Sequence, residues 1–343
     1  MTRPPLLLPT LDLPRPRQRI VDGRYRRDPR AIACEESHER LRRVEDVEGF
    51  FRPAIEEICR RHGVPTDRLR KFARGFNLVY GAGEDPVVKL YCGYFPEDCD
   101  IECASLQALE DTAVAPPRIV ARGELEGWPY LVMTRLQGVE LSTIWDEIDE
   151  ADRIRLLRDV GAAVADMQAV GITDELRPWI VDWTDFAAHQ AIDAADRQSE
   201  QLAASWVAQI EPFIADHLPL VPTQTTPVLL HTELVDAVWL VQQRTGRWEL
   251  TGIYDFADAM VGDAGYDLAA PPVFLGRGKA DRHRAFLEGA GLSPKVADEA
   301  WRRRSLLYLL LHPYSNLAWY MKVAPPPPRV TTLEQLADFW FAA

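Results

Sequence analysis

The stretch VLLHTELVDAVWLV (Val228–Val241) sets His231, Glu233 and Leu234 between two apolar runs. Each run is short and rich in Val and Leu, so it reads as a buried strand. Two further ionic side chains sit in comparable surroundings. Lys89 lies inside DPVVKLY (Asp85–Tyr91), and Asp255 directly follows an apolar strand in LTGIYDFADAMVGDAGYDLAA (Leu250–Ala270). A charge placed in an apolar strand is costly unless it is paired. For Lys89 the helical stretch DIECASLQALED (Asp100–Asp111) offers Glu102 as the partner.

One lysine and three carboxylates from separate segments form the inventory that phosphoryl transfer needs. It requires a cation on the phosphates, an acid holding that cation, a carboxylate for metal and another beside the nucleophile. Competing chemistries leave no trace, since the chain has no GxSxG, no HExxH and no cysteine beside a histidine. GAG (Gly81–Gly83) is followed by no helical pattern, which removes a dinucleotide-binding reading.

From Leu69 the chain shows β-like runs, among them FNLVYGAG with Phe76, Leu78 and Tyr80 in alternation. RIVARGELEG and WPYLVMTRLQG then read as a hairpin, and a helix is expected at Pro53–His62 with its proline in the first turn. After Gly138 the texture turns helical: Leu156, Leu157, Val160, Val164 and Met167 recur at spacings of three and four. The fold class expected is α+β in two lobes, a small β-rich lobe and a larger helical one with a cleft between them. Residues 1–30 read as an extended Pro/Arg-rich arm, 31–135 as the N-lobe and 136–343 as the C-lobe.

The net charge of −13 is uneven, for residues 136–230 hold 17 acidic and 5 basic side chains, a net of −12. That balance argues against nucleic acid as a partner. No segment reaches the ~20 apolar residues that span a bilayer, and LLYLLLH (Leu306–His312) reads as a core helix. The five scattered cysteines suit reduced thiols, and the cytoplasm is the compartment expected. The sequence carries no signal for oligomeric state.

In the order and spacing of these segments the chain resembles the aminoglycoside phosphotransferases of the kinase-like superfamily, above all the hygromycin B kinase branch, from about Leu69 to the C-terminus. The segments that carry the resemblance are DPVVKLY, RGELEGWPYLVMTRLQG, LLHTELVDAVWLV, TGIYDFADAMVGDAGYDLA and LEQLADFWF. It implies a kinase-like fold that transfers the γ-phosphoryl of ATP or GTP, with Mg2+, to a hydroxyl of an aminoglycoside-like or other sugar-bearing compound. Lys89 would hold the α- and β-phosphates, fixed by Glu102, and Asp255 would hold magnesium. Glu233 would act as catalytic carboxylate, His231 as loop anchor and Asp267 as a helical brace. Backbone groups at Met133–Arg135 would meet the base, and the loop from Gly75 to Gly83 would cover the phosphates. Asp182, Asp185, Asp193 and Asp196 would offer acids to acceptor amines.

The chain departs from the family pattern at four positions, one of them Gln168, near where many relatives carry a histidine after the long helix. HTE replaces H-G-D, so Thr232 stands for glycine, consistent with a shifted loop, and Glu233 stands for aspartate. Val238 stands where a metal-binding carboxamide is expected and has no oxygen to coordinate with. Asp236, Asp258 and Asp263 are candidate replacements. The alternative that these departures open is a nucleotide-binding pseudokinase.

Overall fold

A computed structural model describes residues 7–11, 20–21, 24–25, 47–72, 75–84 and 86–343. Within the expected arm, β1 (Ile20–Val21) pairs antiparallel with β2 (Arg24–Tyr25). Leu7 and Leu8 donate their backbone N–H groups to the Glu126 carboxylate. Helix α1 covers Val47–Arg61, so Pro53 lies beyond the first turn expected for it.

The alternating segments form one antiparallel sheet, ordered β3 (Leu69–Lys71), β4 (Leu78–Ala82), β5 (Val87–Leu90), β7 (Trp128–Met133), β6 (Ile119–Leu125). Its two faces serve different cores. Leu78, Tyr80, Val88, Leu90 and Val132 pack with Phe51, Ile55 and Ile58 of α1. Leu131 and Met133 belong instead to the large core of the helical lobe. Between β5 and β6 runs α2 (Pro96–Ala108), with its proline in the first turn, where the missing N–H costs nothing. Ile101, Leu106 and Leu109 are buried as their spacing predicts.

After β7 come β8 (Val139–Glu140), α3 (Leu141–Ile144) and α4 (Glu150–Gln168), capped by Asp149 accepting from Asp152 N–H. Then follow α5 (Trp183–Ala191), α6 (Ala204–His217) and β9 (Val228–Leu230). The hairpin β10 (Trp239–Arg244) and β11 (Arg247–Ile253) turns at Thr245–Gly246. Beyond it lie β12 (Met260–Gly262), paired with β9, then α7 (Ala270–Phe274) and α8 (Ala280–Gly289). The chain closes with α9 (Glu299–Leu311), α10 (Leu317–Val323) and α11 (Leu333–Trp340). Leu306–Leu311 are all buried, as a core helix requires.

Helices α4 and α8 approach closely because glycines meet at their crossing. A Cβ on Gly161 would stand 2.1 Å from the Phe286 carbonyl oxygen, and one on Gly289 would stand 2.0 Å from that of Arg158. Among the described residues no helix is long and apolar enough to cross a membrane. Cys59, Cys92, Cys99 and Cys103 are buried free thiols, and Cys34 lies outside the described residues.

Candidate active site

Lys89 leaves the middle of β5 on the face that looks at the helical lobe. Its Nζ meets Glu102 Oε2 of α2 at 2.6 Å and Asp255 Oδ1 at 2.7 Å. The lysine therefore joins both lobes. Glu102 is buried and also accepts from the Tyr91 hydroxyl at 2.6 Å, while Phe256 N–H points at its other oxygen from 3.4 Å. Burial pushes the Glu102 carboxyl up, against the pull of Lys89. At Asp255 burial acts in the same upward direction, but the Lys89 ammonium outweighs it and holds the acid below its ordinary value. The Asp255 side chain is 41% exposed, so a ligand in the cleft can reach it.

The second half of the site is the turn after β9. His231 is fully buried, with Nε2 3.0 Å from the Tyr254 carbonyl and Nδ1 accepting from Glu233 N–H at 3.3 Å. That arrangement requires the neutral ring with its proton on Nε2, and burial lowers the His231 pKa accordingly. Asp267 accepts from the backbone N–H groups of His231 and Thr232 at 2.7 and 2.8 Å. It braces the turn as expected, but from a run of turns before α7 and not from a helix. Burial pushes its carboxyl up to about 7.

Thr232 has φ +73°, a left-handed conformation that a β-branched residue rarely adopts. The backbone here has a geometry suited to glycine while carrying threonine. Strain of this kind costs about 1–3 kcal/mol and persists only where the surroundings over-determine it. Here Asp267 fixes the amide, and the Thr232 hydroxyl donates to the Asp258 carbonyl at 3.1 Å. Asp255 has the same φ, +73°. Left-handed backbone therefore occurs in both helical-lobe segments that supply the site.

Val238 is buried with the large core and carries no oxygen that could coordinate a metal. Asp263 is committed as well, accepting from the Tyr308 hydroxyl and from Gly265 N–H, each at 3.0 Å. Asp258 and Asp236 remain half-buried, with the Tyr314 hydroxyl 3.3 Å from Asp258 Oδ1. Among the described residues no group of three or more His, Cys, Asp or Glu side chains could hold a metal by itself. Magnesium needs no such cage, since one or two carboxylates plus substrate phosphates and waters complete its shell. Asp255 fits that requirement.

Glu233 is half-buried at the turn, and its charge adds to burial in pushing the Tyr320 hydroxyl up to about 12. Beside it opens a cavity lined by Thr232, Asp258, Trp179, His312 and Tyr314, with Glu97 and Asp98 from the start of α2. His312, Tyr314, Glu97 and Asp98 were not singled out in the sequence. The first two follow a core helix without any repeating pattern. The signal available for Glu97 and Asp98 was two adjacent acids directly after a proline.

The acids expected to meet acceptor amines do not line this cavity. Asp182 caps α5, accepting from Asp185 N–H at 3.0 Å, and Asp193 pairs with Arg197. Asp196 is exposed in a short 3-10 turn, and Asp185 is half-exposed in the first turn of α5. At the hinge, Met133 is buried, and Thr134 N–H is donated to the Arg118 carbonyl, so Thr134 is not the donor offered to a base. Arg135 is exposed, and its guanidinium reaches back to the Gly83 carbonyl. Gly75 lies in the turn joining β3 and β4 with φ +101°, but the proposed covering loop does not extend to Gly83, because Leu78–Ala82 is a paired strand.

A model of the phosphotransferase enzyme family matches residues 69–331. The fold is similar to the GDP complex of wild-type aminoglycoside 2'-phosphotransferase-IIIa, with 18% identity, TM-score 0.63, 79% of this chain and 92% of that one. It is also similar to the streptomycin–ATP ternary complex of APH(2")-IIa, with 17% identity, TM-score 0.55, 85% and 98%. Aminoglycoside phosphotransferase APH(3'')-Id from Streptomyces rimosus matches with 15% identity, TM-score 0.56, 77% and 98%. At these identities the likeness establishes the kinase-like fold and does not separate one branch of these kinases from another.

Proposed function

Because this chain belongs to the phosphotransferase enzyme family, we propose that it is a small-molecule kinase. In this reading it transfers the γ-phosphoryl of ATP or GTP to a hydroxyl of an aminoglycoside-like or other sugar-bearing compound. The observation that carries the reading is Lys89 held at 2.6 and 2.7 Å between Glu102 and Asp255 at the junction of the lobes.

Lys89 binds the α- and β-phosphates, with Glu102 fixing the ammonium. Asp255 holds Mg2+, which supplies neutralisation of the charge that builds on the phosphates. Glu233 orients the acceptor hydroxyl and takes its proton as the new oxygen–phosphorus bond forms and the bond to the nucleoside diphosphate breaks. His231 and Asp267 hold the Glu233 turn in place through backbone contacts. With Val238 in the core, Asp255 is the carboxylate that would hold the metal. The cavity beside Thr232 receives the acceptor. Its chemistry is acidic and aromatic, which suits an amine-bearing sugar.

Glu233→Gln tests the assignment. Phosphate transfer to a responsive aminoglycoside, or consumption of ATP or GTP, is expected to fall at least a hundredfold while nucleotide affinity stays within about twofold. Turnover at the wild-type rate removes Glu233 from this role.

A further inference from the structure

The N-terminal segment is anchored on both lobes. On the small lobe, Leu7 and Leu8 bind the Glu126 carboxylate through their N–H groups, and the Pro9 carbonyl accepts from Trp128 Nε1 at 3.3 Å. Leu8 is buried in the core between the sheet and α1, and Leu11 packs beside Tyr94 and Phe95, directly ahead of α2. On the helical lobe, β2 lies against α5. Between these anchorages comes Ile20, the first residue of β1, buried in the large core. Ile20 lies outside residues 69–331, which the family model matches, so its place in the fold is an addition to the shared frame.

Ile20 is also a wall of the cavity beside Thr232. The lining of that cavity divides by chemistry: Glu97, Asp98 and Asp258 supply acid, while Ile20, Ile101 and Trp179 supply apolar surface. Its volume is about 30 Å3, room for about two waters. A space of that size takes one substituent, such as an aminomethyl group, and not a whole sugar ring. We infer that Ile20 is a specificity-determining residue for the acceptor, closing the cavity so that only a small amine-bearing substituent enters. The ammonium meets the acids, and the carbon that carries it meets Ile20. The inference deepens the acceptor reading given above and rests on it. One methylene more or less in an apolar pocket changes selection about 10- to 200-fold, so a single branched side chain is enough to set the limit.

The test measures steady-state turnover of the full chain with ATP or GTP and with kanamycin, gentamicin or streptomycin as the acceptor probe. Ile20→Val is expected to raise the acceptor KM about threefold and Ile20→Ala about tenfold. Ile20→Trp, which fills the cavity, is expected to raise it at least tenfold. In all three variants the KM for nucleotide and the slow consumption of nucleotide without acceptor stay within about twofold of wild type. An acceptor KM unchanged across the series overturns the inference. A fall in acceptor KM in Ile20→Ala overturns it too, because the side chain then obstructs the acceptor. So does a parallel rise in nucleotide KM, which marks Ile20 as a support between the lobes and not as a wall of the acceptor site. If the wild type phosphorylates none of the probes, the acceptor reading itself fails and takes the wall with it.

Discussion

Two sets of carboxylates occupy this molecule, and they behave in opposite ways. Glu102, Asp255 and Asp267 are far apart in sequence, and their partners are distant too: Lys89 for the first two, the His231–Thr232 backbone for the third. Asp182, Asp193 and Asp196 crowd into one short stretch, where Asp182 and Asp193 have partners three or four residues away. The first set is held by the fold and organises the cleft. The second is held by its own helices, where an acid at an N-cap or opposite an arginine one turn away is ordinary local chemistry. Density of acids along a chain is therefore a poor guide to a binding site, and long-range pairing of a buried acid is a good one.

Breaking the distant set has the largest expected effect. Lys89→Met strands Glu102 in the core, and removing one partner of a buried ion pair costs about 3–5 kcal/mol. Denaturant titration should show that loss together with abolished nucleotide binding, and a stable, nucleotide-binding variant breaks the contrast. Val238→Asn places a carboxamide in the apolar core, and it is expected to cost about 1–3 kcal/mol without raising turnover. A gain in Mg2+-dependent activity instead shows that asparagine reaches the metal.

The comparison sharpens with pH at Asp267. Its folded-state pKa of about 7 lies above the ordinary value of 3.8, so between those values the folded chain holds more protons than the unfolded one. Its contribution is fully present at low pH and is lost as pH rises towards 7, with a slope approaching 1.4 kcal/mol per pH unit. Subtracting the stability curve of Asp267→Asn from that of the wild type across pH 4–8 isolates this slope, and a flat difference refutes it. The local set closes the series. Asp182→Ala is expected to cost about 1 kcal/mol as a lost cap and to leave the KM for nucleotide and acceptor unchanged. A tenfold rise in acceptor KM returns that helix to the binding site.

Much of the fold was legible because its signals are periodic. The β4 alternation, the α4 stripe and the β6–β7 hairpin all stand where the residues predicted them. The beginning of α1 was misread because a proline was given more weight at a helix start than the residues before it warranted. The covering loop that the family resemblance implied at Gly75–Gly83 conflicted with the alternation of Leu78 and Tyr80, and the alternation was the better guide, because Leu78–Ala82 is a strand.

The sequence by itself determined that a lysine in a strand, an acid in the following helix and an acid after a later strand needed partners, since a charge among apolar neighbours is unstable alone. Only the tertiary structure decided that Lys89 takes both acids at once, that Thr232 holds a backbone geometry better suited to glycine, and that Val238 faces the core. The reason is one of range. Periodicity and the cost of burying charge act within a few residues and can be read along the chain. Which distant groups meet, and which strained angle is tolerated, depends on packing from every side.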